Sequence, residues 1–386
     1  MIIQSTNVYY DEKLQPLQIE IKKDRITNIF NYNQFKVDKD YKDLLILPGL
    51  CDTHVHGYGN GSVCDATIPW LKKWCKYLPN EGITSVVAGI SAHPKDRLMV
   101  ACDNIGKYID EDNKVGAHVL GVYEEGPFIC SGKQRGAQNV EYQIIPNKKV
   151  IDEFNKASHN HLIYVMIAPE MLEGNYEVID YCKKLGMAVA IGHTGGTYEI
   201  CNEAIKHGAN SFTHTYNGMT GLHHREPGAV GAALVHEECY AELICDGVHV
   251  NKVAAKVLAK AKGKDRLIIV TDSLSLKGRK FGKYITDDGS ETITICEDGI
   301  CRLDSGTLCG SVRMLNQNLA YAIKEVGIDY VTAINAVTIN PMRLLNINDK
   351  GLIRKGYKAD LAIFDDNFQT KEVYIDGKVQ KLTCQK

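Results

Sequence analysis

The sequence predicts an α/β protein, a (β/α)8 TIM-like barrel with a small β-sandwich domain formed by both termini. Three observations predict it. Residues 49–345 alternate short apolar runs with segments of helical period, the pattern of βα units around a parallel sheet. Residues 1–48 and 346–386 are instead rich in β-formers. No glycine-rich phosphate fingerprint follows the first barrel run, which disfavours a doubly wound open sheet.

At the N-terminus, runs 8–10, 17–21 and 26–30 group β-formers between Asp, Lys and Pro and read as short strands. Barrel strands are expected at 50–56, 83–89, 118–124, 162–168, 188–193, 211–214, 241–245 and 267–271. Helices are expected between them, at 70–78, 176–185, 198–207 and 251–262. Ile179, Cys182 and Leu185 keep helical spacing, and Gly186 is the stop. Residues 273–310 read as a long irregular stretch holding one hairpin, 292–295 against 299–303. Following the eighth strand, it would overhang the face where barrel enzymes carry their chemistry. In the tail, 360–364 and 372–375 are strands, and the second leads into the hairpin signal Asp376-Gly377. The expected division is therefore a terminal β-domain of 1–48 plus 346–386 and a catalytic barrel of 49–345.

The 386 residues include 45 Lys+Arg against 47 Asp+Glu, a formal net charge of −2, with 44% hydrophobic and 24% charged residues. That is the composition of a folded globular chain. A near-neutral balance argues against nucleic acid as a partner, because phosphate binding needs excess cationic side chains. No run approaches 18 apolar residues, so no membrane partner is expected. The N-terminus lacks a charged start and apolar run, and the 13 cysteines are irregularly spaced without a CxxC pair. Both point to free thiols in a reducing cytoplasm.

The chemistry-bearing residues fall at the C-terminal ends of the expected strands. Strand one ends in His54-Val55-His56, strand three is followed by Glu125, strands five and six end in His193 and His214, and Asp272 follows strand eight. Strand side chains alternate, so His54 and His56 face the same side and can reach one cation. An imidazole and carboxylate set suits Zn²⁺ or Fe²⁺ rather than Ca²⁺. Glu125 can serve one ion or bridge two. Asp272 is placed to take a proton from water, whose pKa a bound metal lowers from 15.7 to about 7. Taken singly these residues have plainer readings. A lone His-x-His is more often incidental, a lone His193 or His214 is more often a bonded core residue, and Asp272 would default to a helix cap. Their placement together on one barrel face favours a metal site. His249, in Asp246-Gly247-Val248-His249, is well placed near it, whereas His207 reads as a helix C-terminal residue.

These motifs resemble the amidohydrolase superfamily, whose opening strand is matched by Pro48-Gly49-Leu50-Cys51-Asp52-Thr53-His54-Val55-His56-Gly57. Within it they are similar to the N-acetylglucosamine-6-phosphate deacetylases, through Glu125-Gly126-Pro127-Phe128, Gly192-His193-Thr194, Thr213–Met219, Arg225-Glu226-Pro227-Gly228, Asp246–His249, Thr271-Asp272-Ser273 and Gly306–Ser311. The resemblance implies that Glu125, His193 and His214 bind the main metal and that His54 and His56 hold a second, with Glu125 bridging. One or two divalent ions per subunit follow, and the histidine pair favours two. It makes Asp272 the general base and acid and has His249 help stabilise the oxyanion. Asn217, Gly218, Arg225 and His249 would contact the sugar phosphate, and Leu308 the sugar. Ala137 and Gln138 fall at a further substrate-binding segment, where the family commonly has histidine in place of Gln138. Leucine is usual where Glu124 stands, and alternation turns Glu124 away from Glu125. Part of the family's phosphate contact crosses a dimer interface, which implies a homodimer.

The expected reaction is metal-dependent deacetylation of N-acetyl-D-glucosamine 6-phosphate to D-glucosamine 6-phosphate and acetate, in amino-sugar catabolism or recycling. The galactosamine epimer is an alternative that spacing does not separate. A cyclic amide hydrolase of the same superfamily is another, but many of those bridge two metals with a lysine ending strand four, where this chain reads Ala168-Pro169-Glu170. A non-enzymatic scaffold barrel is the third, and it would typically have lost ligands that are all present here.

Overall fold

The computed structural model describes residues 1–111, 115–285, 292–297 and 300–383. Eight parallel strands run in chain order around one sheet: Leu50–Val55, Ile83–Ile90, His118–Glu124, Leu162–Ile167, Ala188–Ile191, Ser211–Phe212, Tyr240–Ile244 and Leu267–Val270. We number these barrel strands one to eight. The seam between one and eight is closed by the Val55–Ser273 bridge, with His56 N–H donating to Ser273 O at 2.8 Å. Below that, the Asp52 carboxylate accepts from Thr271 Oγ1 at 2.6 Å. Burial pushes the Asp52 carboxyl up to about 6.

Alternation sorts each strand into two cores. Val87, Tyr123, Tyr164, Met166, Ala190, Ile244 and Val270 fill the barrel interior. Val86, Val122, Val165, Val189, Leu243 and Ile269 face the helices, where they meet Leu71, Trp74, Leu98, Phe154 and Leu258. The helices lie where the period predicts them, including Ile68–Tyr77, Glu177–Lys184 and Tyr198–His207. Thr67 and Thr197 cap two of them by accepting the backbone N–H three residues on. The helix expected to stop at 262 runs as Lys252–Arg266 but breaks at Gly263, whose φ is +57°.

Both termini build one further sheet. Strand Leu361–Phe364 pairs antiparallel with Leu45–Pro48, joining the tail strands to Ile2–Tyr10, Lys13–Lys22 and Arg25–Asn31. Its own core takes Ile3, Ile19, Ile46, Leu361, Ile363 and Tyr374. The alternate residues Leu45, Leu47, Ala362, Phe364, Val373 and Ile375 pack on the barrel. The Leu, Val, Ile and Phe side chains among them contribute about 1.5–3 kcal/mol each relative to exposure, so apolar burial fastens the two parts. Asp376 adds a polar clasp, with His118 Nε2 of the barrel at 3.0 Å and Lys358 Nζ at 3.0 Å.

One expectation is corrected. The stretch after strand eight is not a single hairpin in irregular chain but a four-stranded antiparallel sheet, Gly282–Ile285, Thr292–Ile295, Ile300–Leu303 and Leu308–Ser311. The expected hairpin is its central pair; Gly299, assigned to it, lies outside the described residues. The first strand is short and largely exposed, so it lacks the buried alternation that marks a strand in sequence. No helix among the described residues is long and apolar enough to cross a membrane.

Candidate active site

The barrel mouth gathers six side chains from five strand ends. His54 and His56 project from strand one on the same side, as alternation requires. Glu125 directly follows strand three. The strands expected to reach His193 and His214 stop two residues sooner, at Ile191 and Phe212, because both histidines turn into left-handed backbone, at φ +41° and +29°. Asp272 likewise stands two residues beyond Val270, at φ +48°. Non-glycine residues hold this conformation when their surroundings over-determine it. For Asp272, its N–H donates to His54 O and its carbonyl accepts from Ser311 N–H, both at 3.0 Å.

The polar atoms converge. His54 and His56 Nε2 are 3.1 Å apart, as are His193 and His214 Nε2. Glu125 Oε1 lies 3.0 Å from both His193 and His214 Nε2 and 3.3 Å from His54 Nε2. Its Oε2 is 3.3 Å from His56 Nε2. Asp272 Oδ1 completes the cluster, 3.2 Å from His56 Nε2 and 3.5 Å from His54 Nε2. Burial works to raise the Glu125 carboxyl, but the His56 and His54 rings beside it hold it well below the usual carboxylate range. Burial likewise depresses His54, and the carboxylates of Asp272, Glu125 and Glu242 override it and raise the ring well above its ordinary value. The mouth is strongly electronegative.

The rings suit a cation. Every Nδ1 meets an oxygen acceptor: Glu242 Oε2 at 2.9 Å for His54, Gly89 O at 3.0 Å for His56, Gln134 O at 3.0 Å for His193 and Asn217 O at 3.1 Å for His214. In the neutral rings these partners place the proton on Nδ1 and leave each Nε2 with its lone pair. Nε2 atoms this close to one another and to Glu125 call for positive charge between them, from a bound cation or, without one, from protons on the rings. The donors form two overlapping groups, His54–His56–Glu125 and Glu125–His193–His214, each with ligand atoms within 4.8 Å of one another. Nitrogen and oxygen donors so grouped could hold a divalent metal ion.

Around this cluster, His249 is fixed by Asp246 Oδ2 at 2.6 Å from Nδ1, while its buried Nε2 has no partner among the described residues. Asn217 and Gly218 lie on the turn after His214, and Gly218 O accepts from Thr194 N–H at 2.9 Å. Gln138 reaches the cluster itself, donating from Nε2 to Glu125 Oε2 at 2.6 Å. Ala137 is exposed. Arg225 lies on exposed loop 221–226, its Nη1 2.7 Å from His224 Nε2, and Leu308 is half-buried at the start of the last added strand. Neither is among the six groups of the cluster. Glu124 is buried on the helix side of strand three with no hydrogen-bond partner for either oxygen among the described residues, and burial pushes its carboxyl well up.

Two contributors receive no role from the sequence. Glu170 holds the loop beyond His193 by accepting from Thr194 Oγ1 and Gly195 N–H. Glu242, inside strand seven, is fully buried beneath His54. Its signal was an acid in an apolar run, since a buried charge needs a partner.

A sequence model described as the amidohydrolase family matches residues 45–380. The chain is 33% identical to an N-acetylglucosamine-6-phosphate deacetylase of Bacillus subtilis (strain 168) over 83% of this chain and 81% of that one. It is 30% identical to an N-acetylgalactosamine-6-phosphate deacetylase of Escherichia coli O157:H7, over 87% of each. It superposes with a TM-score of 0.90 and 25% identity on a solved variant of N-acetyl-D-glucosamine-6-phosphate deacetylase from Mycobacterium smegmatis in complex with N-acetyl-D-glucosamine-6-phosphate, covering 99% of both chains. With a family model matching residues 45–380, and barrel and terminal sheet superposing over nearly the whole chain, the chain belongs to the amidohydrolase family.

Proposed function

We propose that the chain hydrolyses the acetamide of N-acetyl-D-glucosamine 6-phosphate, giving acetate and D-glucosamine 6-phosphate. The observation that carries this reading is the convergence of four imidazole Nε2 atoms on Glu125 and Asp272 in a chain whose relatives bear that activity. Glu125, His193 and His214 would hold one divalent ion and His54 and His56, with Glu125, a second, Zn²⁺ or Fe²⁺. A cation so bound supplies Lewis acidity that lowers the pKa of water towards neutrality. Asp272 takes the proton of the attacking water as it adds to the amide carbonyl and returns it to the leaving amine nitrogen. His249, with Nδ1 held by Asp246, presents Nε2 to the carbonyl oxygen as charge develops there. Asn217, Gly218, Ala137, Gln138 and Leu308 line the substrate, and the planar fork of Arg225 takes the phosphate.

Residues 1–48 with 346–386 form one domain and 49–345 the catalytic one. The protein works as a homodimer, which gives the exposed Arg225 loop a partner subunit to reach. It acts in the cytoplasm, a reducing compartment that suits a chain rich in irregularly spaced cysteines.

The test is acetate release from a panel of phosphorylated and unphosphorylated N-acetyl hexosamines, with protein loaded with Zn²⁺ or Fe²⁺. The glucosamine 6-phosphate substrate should lead. Loss of the phosphate should cost about 10–100-fold in kcat/KM, the worth of a charge-assisted hydrogen bond. Equal rates with and without phosphate would contradict the Arg225 role. Faster turnover of the galacto epimer would reassign the substrate, and no acetate from any member would end the reading.

A further inference from the structure

We infer that Glu242 is a positioning residue of the metal centre: it holds the His54 ring as a ligand and ties it to the His214 backbone, and without it the His54–His56 half of the centre binds its cation poorly. The inference rests on the metal-dependent reading above.

Glu242 belongs to the inward face of strand seven, in phase with Tyr240 and Ile244, and is fully buried in the barrel. Its Oε2 accepts from His54 Nδ1 at 2.9 Å and from His214 N–H at 3.3 Å, while Oε1 accepts from Thr53 Oγ1 at 3.1 Å. The carboxylate thus touches one member of each ligand group. The rings of His54 and His214 stack with centroids 5.4 Å apart, so the side chain that fixes one ring also fixes its neighbour's backbone.

Comparison among the four rings sets Glu242 apart. His56, His193 and His214 rest their Nδ1 on backbone carbonyls, of Gly89, Gln134 and Asn217. Only His54 rests on a side chain. A carboxylate polarises an imidazole N–H more than a carbonyl does, and raises the basicity of the opposite nitrogen toward a metal. The placement is also costly, since an apolar residue would satisfy a barrel interior without burying an acid. Among the described residues no Lys or Arg forms an ion pair with Glu242, Glu125 or Asp272. Compensation for these three carboxylates therefore falls to the histidines and the cation.

Glu242→Gln, close to isosteric, is the test. Protein dialysed against buffered Zn²⁺ is assayed for bound metal by plasma emission and for affinity by chelator competition. The unsubstituted chain should hold two ions. The variant should keep one at unchanged affinity and bind the other about 10–100-fold more weakly, the usual loss on removing such a partner. A merely structural role would lower the unfolding temperature and leave both affinities alone, and that result overturns the inference. So does a single ion in the unsubstituted chain, although the deacetylase reading would then stand. If the unsubstituted chain bound no metal, both readings would fall. Nitrogen-edited NMR of the imidazoles in the unsubstituted chain decides the matter even if the variant misfolds. His54 should appear as the Nδ1–H tautomer with a downfield proton, and the Nε2–H tautomer would overturn the proposal.

Discussion

Asp272→Asn isolates proton transfer from every other task at the barrel mouth. Asparagine tolerates the left-handed backbone that Asp272 adopts at φ +48°, so the turn survives. The two backbone bonds that fix the residue, to His54 O and from Ser311 N–H, do not involve the side chain. The amide fills the same volume and can still place an oxygen toward His56 Nε2, now 3.2 Å from Oδ1. What it loses is the capacity to accept a proton at the reacting centre. Positioned acid–base groups contribute about 10²–10⁴ in rate, or roughly 3–5 kcal/mol of barrier. The expected result is a kcat lower by that factor, with KM and bound metal close to the unsubstituted values. Acetate release at saturating substrate gives the first quantity, and plasma emission gives the last. A kcat within about threefold of the original, at full metal occupancy, would refute the role, since about 0.7 kcal/mol is too little for a lost proton acceptor.

Other expectations follow from individual contacts. Gly310 has φ +86°, and a methyl there would stand 2.8 Å from the Asp272 carbonyl oxygen. Gly310→Ala should therefore cost about 1–3 kcal/mol in denaturant unfolding and lower kcat, and a neutral result would show that the Asp272 turn is not tightly held. Removing metal with a chelator should abolish acetate release and lower the unfolding temperature. Adding Zn²⁺ at 1,000 times its Kd should restore about 4 kcal/mol, measured by thermal unfolding. At the clasp, the His118 ring beside Asp376 holds its carboxyl well below the usual range, with Lys358 adding to the effect. A depressed folded value means stabilisation that is present above the unfolded pKa of about 3.9 and lost as pH falls through the folded one. Asp376→Asn keeps the turn and should cost about 0.5–1 kcal/mol at pH 7, a difference that shrinks below pH 4 in chemical unfolding.

The barrel and the gathering of histidines and carboxylates at its mouth were legible for one reason: both depend on local periodicity. His54 and His56 share a face because strand residues alternate, and the same rule turned Glu124 away from Glu125, where its oxygens are indeed buried on the helix side. The strand-end rule located His193, His214 and Asp272 even though two of the strands stop before their histidines. The left-handed turns that carry these three residues have only a weak signature in residue type: histidine and aspartate are enriched in that backbone, yet most of them do not adopt it. The added sheet was half legible for a related reason. Its central pair is apolar enough to read as strands, whereas Gly282–Ile285 is mostly exposed and Leu308–Ser311 reads first as part of a motif.

What periodicity does not carry is the pairing of side chains across the barrel. Glu242 lies 188 residues from His54, and no pattern in either strand announces that the two will meet. Gln138 makes the same point from the opposite direction. Its residue type allows a hydrogen bond to a phosphate, yet both ends of its amide are engaged, Oε1 by Ala92 N–H at 2.6 Å and Nε2 by Glu125 Oε2 at 2.6 Å. A phosphate could therefore accept only from the second N–H of Nε2, since the first is given to Glu125. That first bond lies on a carboxylate common to both ligand groups, so the geometry gives Gln138 a part in orienting Glu125. A histidine at that position could make the same bond while adding a titratable charge beside the metal ligands. The neutral amide therefore adds no positive charge at the mouth, which suits the second cation proposed for the His54–His56 pair.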